Sequence, residues 1–215
     1  MAMSEKDTYV FGEQKTKLEQ IEWDDLWFQE ATDTLSKRVL LIGDSITRAC
    51  RAMINKRLNP LGVVVDQLAT SKGNDNPFFI PLIDYAIAQQ PSCCVLQLWL
   101  GHHGGHQSAE AFGRDYEKII RHLLEKYPEK KLLIVCQTPV RERDHVALIS
   151  ERNERSIARG AVAKRIAEKY DLAYLDAYTP LIDKPELYTQ DGIHLLEDGC
   201  QLLADLCAEA IQKLL

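Results

Sequence analysis

Three short segments of the chain carry residue types that can perform nucleophilic chemistry. Gly43-Asp44-Ser45-Ile46 follows an apolar run at 38–42 and precedes a helical pattern that begins near Thr47. A serine at such a strand-to-helix turn stands beside the N–H groups of the helix start, which can stabilise a developing oxyanion. Gly43 would permit a tight approach or a positive φ. The same tetrapeptide also reads as a plain helix start, because Asp and Ser are favoured N-caps. Asp191-Gly192-Ile193-His194 lies just before the last helical pattern. A serine hydroxyl becomes a nucleophile when a base is within hydrogen-bond reach and a third group orients that base. Asp191 and His194, three apart across a glycine, can meet on one loop and supply that relay. Seen alone, the segment is equally a helix start with a surface histidine. The third segment, Gly101-His102-His103-Gly104-Gly105-His106, admits a metal reading, since histidine is a common zinc ligand. Adjacent histidines in a glycine-rich loop lack a carboxylate or a regular helical spacing to converge on one ion, and no metal is assigned.

The elements that must position these segments are legible from periodicity. Runs at 38–42 (RVLLI), 62–66 (GVVVD), 93–98 (CCVLQL), 131–136 (KLLIVC) and 172–176 (LAYLD) are nearly continuous in apolar character. That is the pattern of strands covered on both faces. Between them, Phe112, Tyr116, Ile119, Ile120, Leu123, Leu124 and Tyr127 recur at steps of three and four, as on an amphipathic helix. Ile157, Ala161, Ile166 and Tyr170 repeat the pattern more weakly, and Leu195, Gly199, Leu202, Leu203, Leu206 and Ala210 close the chain. Strands alternating with helices predict an α/β fold: a five-stranded parallel sheet with helices on both faces, its chemistry in the loops after the strands. Residues 38–215 form this domain. Residues 1–37 are polar, then acidic and aromatic, with Trp23, Trp27 and Phe28 at roughly helical spacing. They are expected to form an N-terminal arm packed on the domain through those aromatics; the alternative is an element that shapes a substrate pocket or a subunit contact.

GDSI and DGIH, in this order and at these places, resemble the first and last blocks of the SGNH (GDSL-like) hydrolases, a family of serine esterases and acylhydrolases. The resemblance spans residues 38–215. It implies a three-layer αβα sandwich of flavodoxin-like type, with Ser45 as nucleophile, His194 as base and Asp191 orienting the base. It further implies an oxyanion hole built from the Ser45 N–H, a second-block glycine N–H, and an asparagine side chain in a GxN block. The chain departs from the last two. Its second block, Leu68 to Asn74, offers either Ser71 or Gly73 as the donor, and Asn74 and Asn76 as substitute side-chain donors. Its third block has His103 where the asparagine belongs, and an imidazole N–H can take that role. Asp44, Asn74 and His102 lie in the same loops and are candidates for substrate contacts. No cofactor is implied.

The 215 residues carry a net charge of −6, which argues against a nucleic acid or an anionic membrane as the main partner. The N-terminus has no apolar signal region, and no apolar run approaches the roughly 18–20 residues of a membrane span. Six cysteines without a framework spacing, mostly inside apolar stretches, read as free thiols of a cytoplasmic protein. The expected activity is hydrolysis of a small ester through an acyl-serine intermediate. Short predicted connections and the lack of a long apolar lid favour a short acyl group, such as acetyl on a carbohydrate or small metabolite. Two rival readings are a non-catalytic binding module of the same fold with a degenerate oxyanion hole, and a metal-binding protein organised by the histidine cluster. The oligomeric state is open, a homo-oligomer included.

Overall fold

A computed structural model describes residues 8–11 and 14–215. In chain order its first elements are β1 (Thr8–Phe11), β2 (Gln14–Lys17), β3 (Asp24–Trp27), β4 (Lys37–Gly43), α1 (Ser45–Leu58), β5 (Val63–Thr70), α2 (Phe79–Gln89) and β6 (Cys93–Leu98). Then follow α3 (Ala109–Lys126), β7 (Lys131–Val135), β8 (Arg141–Glu142), β9 (His145–Ile149), α4 (Asn153–Lys169), β10 (Ala173–Leu175) and α5 (Glu197–Gln212). The central sheet runs β10-β7-β6-β4-β5-β3. Its first five strands are the five apolar runs, and all their pairings are parallel.

The sheet is covered on both faces because alternate side chains of each buried strand point opposite ways. Val39 and Leu41 of β4 pack with Ile46, Cys50 and Ile54 of α1 and with Leu203, Cys207 and Ile211 of α5. Leu40 and Ile42 pack on the other side with Phe79 and Ile83 of α2, Phe112, Tyr116 and Ile119 of α3, and Val162 and Ile166 of α4. These are the three layers of an αβα sandwich.

Two sequence expectations are corrected. Residues 24–27 are not helical: β3 adds a sixth, antiparallel strand to the edge, pairing Asp24 with Thr70 and Trp27 with Gln67. The physical reason is the open edge of β5, all eight of whose residues are buried and whose N–H and C=O groups need partners. Period two then governs, with Leu26 and Phe28 against the core and Trp27 facing out. The turn from β3 into β4 is fixed by buried Arg38, which pairs with Asp66 at 2.9 Å and donates to the carbonyls of Gln29, Glu30 and Asp33. In addition, β5 extends to Thr70, so Leu68, Ala69 and Thr70 belong to the sheet and the second loop begins at Ser71.

Numbered by chain order, the parallel strands lie 2-1-3-4-5, and the order reverses between β4 and β6. A crevice outside the carboxyl ends of the strands forms at such a reversal. The turn after β4 leads into α1 at Ser45, and the loop after β6 carries His102 and His103.

Candidate active site

Ser45 is the first residue of α1, so its N–H has no acceptor within the helix. Asp44 is the N-cap, its Oδ1 accepting from the Ile46 N–H at 2.9 Å. Gly43 is required by close packing: a Cβ there would stand 2.9 Å from the Trp99 carbonyl oxygen and collide with the Thr47 side chain. The turn therefore draws α1 tightly over the end of β6.

Across 149 residues of chain, His194 Nε2 lies 2.8 Å from Ser45 Oγ. His194 Nδ1 lies 2.6 Å from Asp191 Oδ2. The second oxygen of Asp191 accepts from the N–H groups of Ile193 and His194 and from the Thr189 hydroxyl, at 2.8–2.9 Å. Partial burial opposes the charged carboxylate, but these hydrogen bonds, that of His194 foremost, outweigh it and hold Asp191 well below the usual carboxylate range. Gly192, at φ 74°, lets the loop turn against the neighbouring hairpin, where its carbonyl accepts from the Arg141 N–H at 2.8 Å. The Arg141 side chain is buried against Tyr188 and donates to the carbonyls of Val146, Leu181 and Ile182. It staples this end of the site from within rather than lining it.

The other sequence candidates divide. Ser71 has no donor to offer: its N–H goes to the Trp23 carbonyl at 3.1 Å, and its hydroxyl lies between the Trp23 N–H and Glu22, both at 2.9 Å. Gly73 is thus the second-block candidate that remains. Asp44 is a poor substrate contact, because its second oxygen lies 2.8 Å from His102 Nδ1 and the residue is buried. Burial opposes the charged carboxylate, but the attraction and hydrogen bond of His102, with the attraction of His103 and the Ile46 N–H, outweigh it and keep Asp44 below its ordinary value. His102 is equally committed, its Nε2 lying 3.3 Å from the Thr138 hydroxyl. Asn74 lines a cavity of about 310 Å³ with Asn76, Asp115 and Lys118. His103 instead borders a small cavity with Gly43, Asp44, Lys72 and Gly101. The three histidines of the glycine-rich loop diverge to Asp44, Glu19 and Asp75. Among the described residues no group of three possible metal ligands lies together.

Sequence reasoning missed the residues that hold this loop. Arg159 of α4, fully buried, donates to the carbonyls of Gly101, His103, Gly104 and Gln107 and lies over the Phe112 ring. Burial without a directly bonded carboxylate pushes its guanidinium down to about 10. Glu19 accepts from the Gly104 N–H at 3.1 Å. Neither residue stands out in sequence from its charged neighbours.

No family model matches the sequence, and no curated protein sequence matches it. Solved structures do. A GDSL-like lipase from Bacteroides thetaiotaomicron superposes with a TM-score of 0.67 at 16% identity, over 83% of this chain and 89% of that one. A carbohydrate acetylesterase from Sinorhizobium meliloti gives 0.66 at 16%, over 84% and 100% of the two chains. An aryl esterase of M. smegmatis gives 0.66 at 17%, over 84% and 100%.

The chain has the SGNH-hydrolase fold.

Within this SGNH fold, β3 and the segment before it form a wall along the second and third loops. Trp23 meets His103 edge-on with ring centroids 6.3 Å apart, and its other neighbour is Arg48, one turn along α1 from Ser45. Lys72 is ion-paired to Asp24 at 2.7 Å. Among the described residues no helix is long and apolar enough to cross a membrane.

Proposed function

We propose that the protein is a serine esterase that hydrolyses a small, short-acyl ester. The observation that carries this reading is the continuous hydrogen-bonded chain from Ser45 Oγ through the His194 ring to Asp191. Ser45 Oγ attacks the ester carbonyl carbon while its proton passes to His194 Nε2. The carbonyl oxygen becomes an oxyanion, met by the N–H groups of Ser45 and Gly73 and by the His103 side chain. Collapse breaks the ester C–O bond, and the alcohol leaves with the proton from His194. A water molecule then repeats the attack on the acyl-serine, giving its proton to His194, and the acid departs as Ser45 Oγ recovers a hydrogen. Asp191 stays ionised throughout, holding Nδ1–H and stabilising the transient imidazolium.

A short acyl group, with a carbohydrate or small metabolite as the alcohol, is supported by acetylesterases among the structures of the same fold. The free, mostly buried cysteines support a reducing, cytoplasmic setting. The test is hydrolysis of chromogenic acetate, butyrate and octanoate esters by wild type, Ser45→Ala and His194→Ala. Acetate turnover is expected to be highest, and each substitution to lower kcat by about 10⁶. Activity that survives both substitutions overturns the mechanism, and a wild type inert towards every ester favours a binding module.

A further inference from the structure

His103 is held from outside its own loop. Its Nδ1 lies 3.6 Å from Glu19 Oε1, and the same carboxylate oxygen accepts from the N–H of the next residue, Gly104. The segment that brings Glu19 here is itself fixed to the second loop through Ser71 and Lys72, and Trp23 closes on the edge of the His103 ring. From behind, Arg159 fixes the His103 carbonyl at 2.7 Å. The other charged or ionisable groups around His103 and Glu19 are Asp44 from the β4–α1 turn, Lys72 from the loop after β5, already paired with Asp24, neighbouring His102, paired with Asp44, and from α4 Arg159 and Arg155, both of which also act on Glu19.

We infer that Glu19 is a positioning residue for His103, aligning the ring and favouring the doubly protonated form that donates from Nε2 to the oxyanion. The inference rests on the reading of Ser45 as nucleophile and His103 as an oxyanion donor. A neutral imidazole has one N–H, and a carboxylate beside Nδ1 draws that hydrogen to Nδ1. Nε2 can then donate only when it too carries a hydrogen, and a negative charge within about 4–6 Å favours that cationic ring. An asparagine amide at the same position would need no such partner, because its N–H₂ donates in every protonation state. The N-terminal segment thus compensates for the histidine in the third loop.

The experiment is a double-substitution cycle with the full chain, using Glu19→Gln, His103→Asn and both together, with Ser45→Ala as the control for the underlying reading. Glu19→Gln keeps an amide oxygen for the Gly104 N–H, removes the charge and exchanges one acceptor oxygen for an N–H₂ donor. The pH profile of kcat/KM on an acetate ester should rise as His194 becomes neutral and fall again as His103 loses its second hydrogen. Glu19→Gln should move that alkaline fall to lower pH and reduce kcat about tenfold, a fraction of the 10²–10³ lost with a whole oxyanion donor. His103→Asn should lack the alkaline fall, and adding Glu19→Gln to it should change kcat less than about twofold. Nitrogen NMR of the His103 ring gives a readout independent of turnover, with the cationic form weakened in Glu19→Gln. A Glu19→Gln profile identical to wild type overturns the inference. So does an equal loss in the His103→Asn background, which would mean that Glu19 acts by holding the loop or the fold. Full activity in Ser45→Ala instead sinks the esterase reading itself.

Discussion

The two sides of the crevice are built by opposite means. On the side of the proposed base, one loop of six residues holds itself: Thr189, Asp191, Ile193 and His194 all hydrogen-bond within it. On the side of the proposed oxyanion donors, the loops have a few internal bonds, such as Gln107 N–H to the Gly104 carbonyl and Asn76 N–H to the Gly73 carbonyl, but lean on distant partners. The segment from Gly101 to Gln107 is held by Arg159 from α4 and by Glu19 from ahead of β3, and the second loop is tied to residues 22–24. The first side has short-range geometry that four residues encode together. The second depends on partners 48 to 85 residues distant in the chain. A local motif tolerates change elsewhere, whereas an assembled one fails when any distant support is removed.

Substitutions can break this contrast in order of size. Asp191→Asn removes the orienting charge of the self-contained side and should lower kcat by about 10⁴ with little change in KM. Its stability effect carries a pH signature. Because the folded carboxylate titrates below its unfolded range, its contribution is present above that range and is lost only as pH falls through the folded value. The difference in Tm between wild type and Asp191→Asn should therefore be constant near neutrality and shrink in acid. A difference that vanishes already at neutral pH would contradict the geometry.

On the assembled side, His103→Ala should cost about 10²–10³ in kcat, and His103→Asn should restore most of it. Equal, full activity in both would remove His103 from the reaction. Arg159→Met should lower activity less specifically and stability more clearly. It removes the donor from four carbonyl oxygens, of which Gly104's keeps the Gln107 N–H, a loss of about 3 kcal/mol or more in chemical denaturation. An unchanged unfolding midpoint would show that water or Gln107 takes over these carbonyls, and that the loop is more self-sufficient than its contacts indicate.

The five parallel strands and helices α3, α4 and α5 were legible because each is a local period: continuous apolar runs for doubly covered strands, steps of three and four for helices; α2, almost continuously apolar over 79–83, was not. Ser45, Asp191 and His194 were legible because each sits in a short segment whose residue types restrict what it can do. Of the two second-block residues proposed as donors, Ser71 was set aside only by its bonds to Trp23, a contact set by sheet pairing. The strand at 24–27 was not legible for the same reason: the expected sheet had five strands, the aromatics stood at roughly helical spacing, and the unpaired edge of β5 decided for a sixth strand. The expectation for 1–37 as an arm on the domain is partly outside the described residues, which begin at 8 and omit 12 and 13.

By itself, then, the sequence determined which residues are candidates to attack, accept a proton and orient the base in the proposed reaction, since those are properties of side-chain type and of spacing over a few positions. The tertiary structure alone decided that Ser45 and His194 meet at 2.8 Å, and that Glu19 and Arg159 hold the loop of His103. Such meetings depend on how strands order and helices cross, and long-range pairing leaves no periodic trace in the segments it joins.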